Sequence, residues 1–132
     1  MAIVTLTKDN FNEVVDDADL VFIDFWAEWC GPCRTFGPIF EEASTKHDDI
    51  VFAKVDTEAQ PELAAAFNIM SIPTIMAIRQ NVILFAQPGS LPSGAFADLI
   101  EGVKRVDMAE VHRKIAEETG SAPAEEATAK PA

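Results

Sequence analysis

The chain has 132 residues, 48% of them hydrophobic, with nine Phe, two Trp and a formal net charge of −12. That is enough apolar material for one domain with its own core, so no disulfide framework is needed to offset small size. So large a surplus of acid argues against binding runs of nucleic-acid phosphates, disfavours anionic membrane surfaces and favours a soluble monomer.

The N-terminus, MAIVTLTKDNF, has neither the basic start nor the apolar run of roughly 7–15 residues that marks a signal peptide. No segment approaches the roughly 18 apolar residues of a membrane span. The expected location is the cytoplasm, where thiols are kept reduced.

Ile3 to Leu6 reads as a short strand, and Thr7 as the cap of a helix to about Asp17 with Phe11, Val14 and Val15 facing inward. Leu20 to Phe25 is a near-continuous apolar run, the pattern of a strand covered on both faces, with Asp24 its one charged member. Gly31 to about His47 reads as a helix whose inner face carries Phe36, Ile39, Phe40 and Ala43. Pro38 inside it has no N–H for the Arg34 carbonyl, so a kink is expected.

Ile50 to Val55 is a further buried strand, and Pro61 opens a short helix through Phe67. Thr74 to Ile78 and Val82 to Ala86 flank a hairpin turn, where Asn81 tolerates the left-handed conformation. Pro88-Gly89 reads as a second turn. Ser93 then caps a helix with Phe96, Leu99, Ile100 and Val103 along one stripe.

Met108, Val111 and Ile115 fall about a quarter turn from that stripe, so one straight helix cannot bury both sets. Asp107, three residues before Glu110, therefore starts a separate short helix, an extension over 107–118. From 119 to 132 there is no large apolar residue, and a disordered acidic tail is expected. The order β-α-β-α-β-α-β-β-α makes an α/β domain over residues 1–106. Its mixed, five-stranded central sheet has a parallel section from the crossovers and antiparallel strands from the hairpin.

The chemistry is concentrated in FWAEWCGPC, which holds the only two cysteines, Cys30 and Cys33. In a reducing compartment such a pair reads as catalytic or metal-binding before structural. A zinc site would need two more ligands, and only His47 and His112 remain as soft candidates. A structural bridge would gain little, because stabilisation grows with the loop it closes. Cys30 lies where strand gives way to helix, so unpaired N–H groups and the positive end of the helix dipole favour its thiolate. Cys33 follows almost one turn later, within the 4.4–6.8 Å or so between Cα atoms that a disulfide accepts. Gly31 permits close approach by a substrate backbone, and Pro32 fits the first turn without removing a needed N–H.

FIDFWAEWCGPC, Pro38 in the helix that follows, Lys54 in AKVD, Ser71-Ile72-Pro73-Thr74 and Pro88-Gly89 resemble the thioredoxin family in order and spacing, over about residues 3 to 106. The resemblance implies the thioredoxin fold and a protein-disulfide reductase. Cys30 would be the nucleophile, open to incoming disulfides, and Cys33, more buried, the resolving thiol. Asp24 would be the buried carboxylate that assists proton transfer at Cys33, with its pKa raised by burial, and Lys54 would oppose that rise. Pro73 would be cis and leave the Ile72 backbone free to pair with an extended substrate. Trp29, Gly31, Pro32, Ile72, Pro73 and Gly89 would form the docking surface.

The implied partners are disulfide-containing proteins and a flavin-dependent thioredoxin reductase that recycles the pair. No cofactor or metal is implied for the chain itself. Arg34 replaces a common Lys of the family, Asn81 a common Gly, and Met70-Ser71 is a family variant that touches substrate preference. Trp26 is read as core, Met70 and Met76 as packing, and His47 and His112 as surface residues. Two other readings use the same residues: an oxidase or isomerase of an oxidising compartment, and an assembly subunit in which the cysteines are dispensable.

Overall fold

Five strands and five helices are present among residues 3–119, the part of the chain described by the computed structural model. In chain order they are β1 (Val4–Thr5), α1 (Phe11–Asp17), β2 (Leu20–Trp26), α2 (Gly31–Lys46), β3 (Val51–Asp56), α3 (Pro61–Ala66), β4 (Thr74–Arg79), β5 (Val82–Pro88), α4 (Ser93–Lys104) and α5 (Met108–Thr119). The strands form one sheet in the order β1-β3-β2-β4-β5. β1, β3 and β2 run parallel, whereas β4 and β5 are antiparallel to their neighbours. This is the mixed five-stranded α/β architecture that the element order implies.

β2 lies at the centre, so both its faces are covered and Leu20 to Phe25 are all buried. Its side chains alternate between two cores. Val21, Ile23 and Phe25 join Leu6, Phe11, Val15 and Leu63 on the face covered by α1 and α3. Leu20 and Phe22 join Phe36, Phe40, Phe96 and Ile100 on the face covered by α2 and α4. On that second face the Phe96 ring meets Phe22 edge-on at 5.6 Å and Phe36 at 5.1 Å. Full burial of a phenylalanine stabilises by about 2–3 kcal/mol relative to exposure. Phe36 and Phe40 therefore anchor α2 across the end of β2, and that anchoring fixes where Cys30 sits.

Several local expectations change in the folded chain. Thr7 does not cap α1: the helix begins at Phe11 with Asn10 as its N-cap residue. The Asn10 side chain accepts the Thr7 N–H at 2.7 Å, a local bond that competes with helix formation over residues 7–10. Ser93 is the first residue of α4 rather than its cap, the N-cap position being Pro92, which has no side-chain donor or acceptor to offer. Pro88 belongs to β5, opposite Thr74, so only Gly89 is left to turn the chain.

Gln80 and Asn81 both have positive φ, 52° and 65°, which gives the β4–β5 hairpin a two-residue turn matched to strand twist. Asp107 Oδ1 accepts the Glu110 N–H at 3.1 Å, but the Glu110 carboxylate turns to Arg113 instead, so only half of a capping box forms. α5 is thus a separate helix with Met108 buried at its start, and it runs to Thr119, one residue past the 107–118 span expected. Of the tail expected to be disordered, 119–132, Thr119 instead closes α5, and 120–132 lie outside the described residues.

α4 ends on a side chain from the sheet. Arg79 Nη1 donates to the carbonyls of Val103, Lys104 and Val106 at 3.0–3.1 Å, and its Nε pairs with Asp19 at 3.2 Å. Val103 and Lys104 carry carbonyls that the helix C-terminus leaves without intrahelical donors, and Val106 lies in the link to α5. Gln80 donates to Asp19 at 3.0 Å and meets His112 Nε2 of α5 at 2.8 Å, so His112 is a half-buried docking contact rather than a surface residue.

Candidate active site

β2 ends at Trp26 and α2 begins at Gly31, leaving Cys30 as the N-cap residue in extended conformation, φ −88° and ψ 116°. Its Sγ accepts the Cys33 N–H at 3.2 Å, the place a serine or aspartate oxygen takes at an ordinary N-cap. Cys30 and Cys33 are joined as a disulfide with their Cα atoms 5.2 Å apart. Arg34 fastens the preceding loop to the helix, donating from Nε and Nη2 to the Glu28 carbonyl at 3.2 and 2.9 Å.

The loop before β4 faces the pair. The Ile72-Pro73 peptide is cis, and the Ile72 carbonyl oxygen lies 3.7 Å from Cys30 Sγ. The Pro73 carbonyl accepts the Gly89 N–H at 2.7 Å, tying the end of β5 to this loop. Gly89 has φ 108°, a conformation that other residues rarely adopt. The structure therefore brings together Trp29, Gly31, Pro32, Ile72, Pro73 and Gly89 around the cysteines. Trp29 is 66% exposed, Gly31, Pro32 and Gly89 are exposed, and Ile72 is half-buried. Pro73 is buried, so it shapes this surface from beneath rather than forming part of it.

Met70 departs most from expectation. It is 84% exposed rather than packed, whereas Met76 is buried. Shallow cavities of about 320 and 340 Å³ lie on its two sides, one lined by Trp29 and Ile72, the other by Thr74, Met76 and Pro88. The signal available in the sequence was position: Met70 immediately precedes Ser71-Ile72-Pro73 and belongs to no periodic apolar stripe.

The two cysteines are equally recessed. Each is 4% exposed, so the expected contrast between an open Cys30 and a buried Cys33 is absent from the disulfide state. What separates them is their surroundings. Cys30 Sγ lies between a helix N-terminus and the Ile72 carbonyl. Cys33 instead lines a cavity of about 270 Å³ behind the disulfide, together with Trp26, Gly37, Glu41 and Lys54.

Beneath that cavity, Asp24 and Lys54 are register partners on β2 and β3. Asp24 is fully buried, and this burial pushes its carboxyl up from 3.8 to about 6, with the Lys54 charge opposing the rise. Neither Asp24 oxygen has a hydrogen-bond partner among the described residues. Lys54 Nζ lies 4.0 Å from Glu41 Oε2 and 5.0 Å from the centroid of the Trp26 ring. Trp26 is accordingly half-buried against a cation rather than part of the core. Sequence reasoning passed over Glu41, although Cys33, Gly37 and Glu41 recur every four residues and so lie on one side of α2. Among the described residues no group of three or more His, Cys, Asp or Glu could hold a metal ion.

Comparison with known proteins bears on the same residues. Residues 2–102 match the family described as thioredoxin. A Streptomyces coelicolor protein that carries thioredoxin 2 as a provisional name is 56% identical over 119 residues, 90% of this chain and 89% of that one. Thioredoxin C-3 of Corynebacterium nephridii is 43% identical over 89 residues, 67% of this chain and 61% of that one. A solved structure of Plasmodium falciparum thioredoxin superimposes with a TM-score of 0.71 at 33% identity, covering 76% of this chain and 98% of that one. A stretch of 119 in 132 residues necessarily includes 14–119, so the Streptomyces alignment takes in α5, a segment with no counterpart in the family pattern read from the sequence.

A Cys-Gly-Pro-Cys pair at a helix N-terminus, closed as a disulfide on a mixed five-stranded sheet, defines a thiol–disulfide oxidoreductase. The chain belongs to the thioredoxin family.

Proposed function

We propose that the chain is a protein-disulfide reductase of the cytoplasm, acting as a monomer and recycled by a flavin-dependent thioredoxin reductase. The observation that carries this reading is Cys30 at the N-cap of α2, its sulfur held by the Cys33 N–H and facing the Ile72 carbonyl. An N-terminal position favours the thiolate, the form that attacks disulfides.

Four steps follow. Cys30 thiolate attacks one sulfur of the target disulfide, forming a mixed disulfide and releasing the other target sulfur as a thiolate that takes up a proton. Cys33 then loses its proton to the Asp24 carboxylate and attacks Cys30 Sγ. The second target sulfur leaves as a thiolate that takes up a proton from water, the Cys30–Cys33 disulfide closes, and Asp24 releases its proton. The target gains two electrons and two protons; the reductase later returns two electrons to the pair, which takes up one proton to become the Cys30 thiolate and the Cys33 thiol.

A carboxyl with a pKa of about 6 suits that transfer, since it is mostly ionised at pH 7 yet holds a proton more readily than an exposed aspartate. Lys54, on the neighbouring strand, tunes it. Trp29, Gly31, Pro32, Ile72 and Gly89 dock the substrate, Pro73 supports them from beneath, and the Ile72 backbone pairs with an extended segment of the target. Because both sulfurs are recessed, exchange requires a partner that settles onto this rim, which suits proteins better than small disulfides.

The exchange unit is 1–106, and 107–118 is an extension packed on it. The acidic net charge supports neither nucleic-acid nor anionic-membrane partners, and no helix among the described residues is long and apolar enough to cross a membrane. Insulin reduction driven by NADPH and thioredoxin reductase tests the proposal. Turnover is expected with the wild type and loss of it with Cys30→Ser. Full activity in a Cys30→Ser, Cys33→Ser double variant would favour the assembly-subunit reading instead.

A further inference from the structure

Lys54 has an obvious partner that it does not use. Asp24 is its register partner on β2, the two side chains leave the sheet on the same face, and both Asp24 oxygens are buried without a hydrogen bond among the described residues. An ammonium beside a buried carboxylate ordinarily pairs with it, since a desolvated charge without a partner is costly. Here Nζ turns outward instead. It approaches Glu41 Oε2 at 4.0 Å and lies over the Trp26 ring at 5.0 Å, within reach of a cation–π contact. A Cβ added at Gly37 would come within 3.8 Å of Nζ, so the ammonium lies directly under the α2 backbone, at the cavity that Cys33 lines.

We propose that Glu41 and Trp26 are positioning residues that hold the Lys54 ammonium at the outer side of the cavity behind Cys33 and keep it off the Asp24 carboxyl. The consequence for exchange rests on the reductase reading above. A carboxyl locked in an ion pair is a poor proton acceptor, whereas one left unpaired can take the Cys33 proton. Glu41 is the sensitive element, because its side chain is 61% exposed while that of Lys54 is 21% exposed. Its pull on Lys54 therefore weakens as salt rises.

Glu28 and Arg34 line the same cavity, but Arg34 is held on the Glu28 carbonyl. Asp56, the next residue of β3 on this face, accepts the N–H groups of Glu58 and Ala59 at 2.9 and 3.3 Å.

The test follows the Asp24 carboxyl by carbon-13 NMR against pH in the oxidised full chain, in the wild type, Glu41→Gln, Lys54→Met and the double variant. Glu41→Gln frees Lys54 to approach Asp24 and favours its anion. The Asp24 midpoint should therefore fall by about half a pH unit or more. With Lys54→Met already in place, the same substitution should move it by less than a third as much. An unmoved midpoint in Glu41→Gln overturns the proposal. So does an equal shift in both backgrounds, which would mean that Glu41 acts on Asp24 directly. Trp26→Phe supplies an independent arm, expected to lower the midpoint in the same direction but less.

Insulin reduction by the wild type is measured alongside. Its absence would defeat the reductase reading whatever the titrations show. Normal reduction with an unmoved Asp24 midpoint would defeat this proposal alone.

Discussion

Asp24 and Lys54 face each other across β2 and β3 without forming a hydrogen bond, and the carboxyl is held near neutrality by burial. The folded chain therefore binds the Asp24 proton more tightly than the unfolded chain does. The associated stability is fully present below about pH 3.8 and is lost as pH rises through about 6. At about 1.4 kcal/mol per pH unit, the interval amounts to about 3 kcal/mol. Asn resembles the protonated acid in shape and carries no charge. Asp24→Asn is thus expected to be more stable than the wild type by about 2–3 kcal/mol at pH 7.5. Near pH 4 the difference should shrink toward zero. Urea unfolding of the oxidised proteins at both pH values measures this, and a gain independent of pH would show that the charge is not its cause. The same variant should slow release of the mixed disulfide, because Cys33 loses its proton acceptor.

Cys33 and Cys30 should separate cleanly once reduced, although the disulfide state buries them equally. Only Cys30 has its sulfur at the N-cap of α2, where the Cys33 N–H and the positive end of the helix dipole favour its thiolate. With Cys33→Ser the mixed disulfide cannot be resolved, so a covalent complex with the target protein should accumulate, visible by non-reducing electrophoresis. With Cys30→Ser none should form. Accumulation in the Cys30→Ser variant instead would reverse the assignment of nucleophile.

Trp29 projects into solvent beside the first cavity and contributes little to the core. Trp29→Ala is expected to change stability by less than about 0.5 kcal/mol, as for most exposed positions. The KM for a protein disulfide should rise several-fold, while the rate with dithiothreitol, which needs no docking surface, should stay within about twofold of wild type. Equal losses with both would place the effect of Trp29 on the cysteines themselves.

Arg79 is the counterpart of these surface positions. It donates to the last two carbonyls of α4 and to that of Val106 and pairs with Asp19, so Arg79→Ala removes the side-chain donor from all of them, although Val103 keeps the Val106 N–H. A loss of about 2–3 kcal/mol is expected in urea unfolding. Ending the chain at residue 106 keeps Arg79 and removes the buried Met108 and the His112–Gln80 contact. Its expected cost is smaller, about 1–2 kcal/mol, with disulfide exchange unchanged. A truncated chain that is stable but cannot be recycled by reductase would assign α5 to partner recognition instead.

Elements governed by short-range pattern were legible before folding. The run Leu20 to Phe25, apolar but for Asp24, required a strand covered on both faces, and it became the centre of the sheet. The quarter-turn offset of Met108 from the Phe96 stripe required a break, which falls between Lys104 and Met108. Caps were less legible. Near Thr7 the Asn10 side chain takes the Thr7 N–H and the helix starts three residues later than expected. At α4 the chain enters through Pro92 with no side-chain cap, so the direction of entry decides where each helix begins.

Sequence alone determined the strand and helix order, the placement of Cys30-Gly31-Pro32-Cys33 at a strand-to-helix junction, and the family, because these depend on residue types and spacings along the chain. Tertiary structure decided what lies across space. It turned Lys54 toward Glu41 and Trp26 rather than Asp24, recessed both cysteines equally, and left Met70 standing clear between two cavities. Burial and the direction of a long side chain are set by neighbours tens of residues away, and no local pattern encodes those distances.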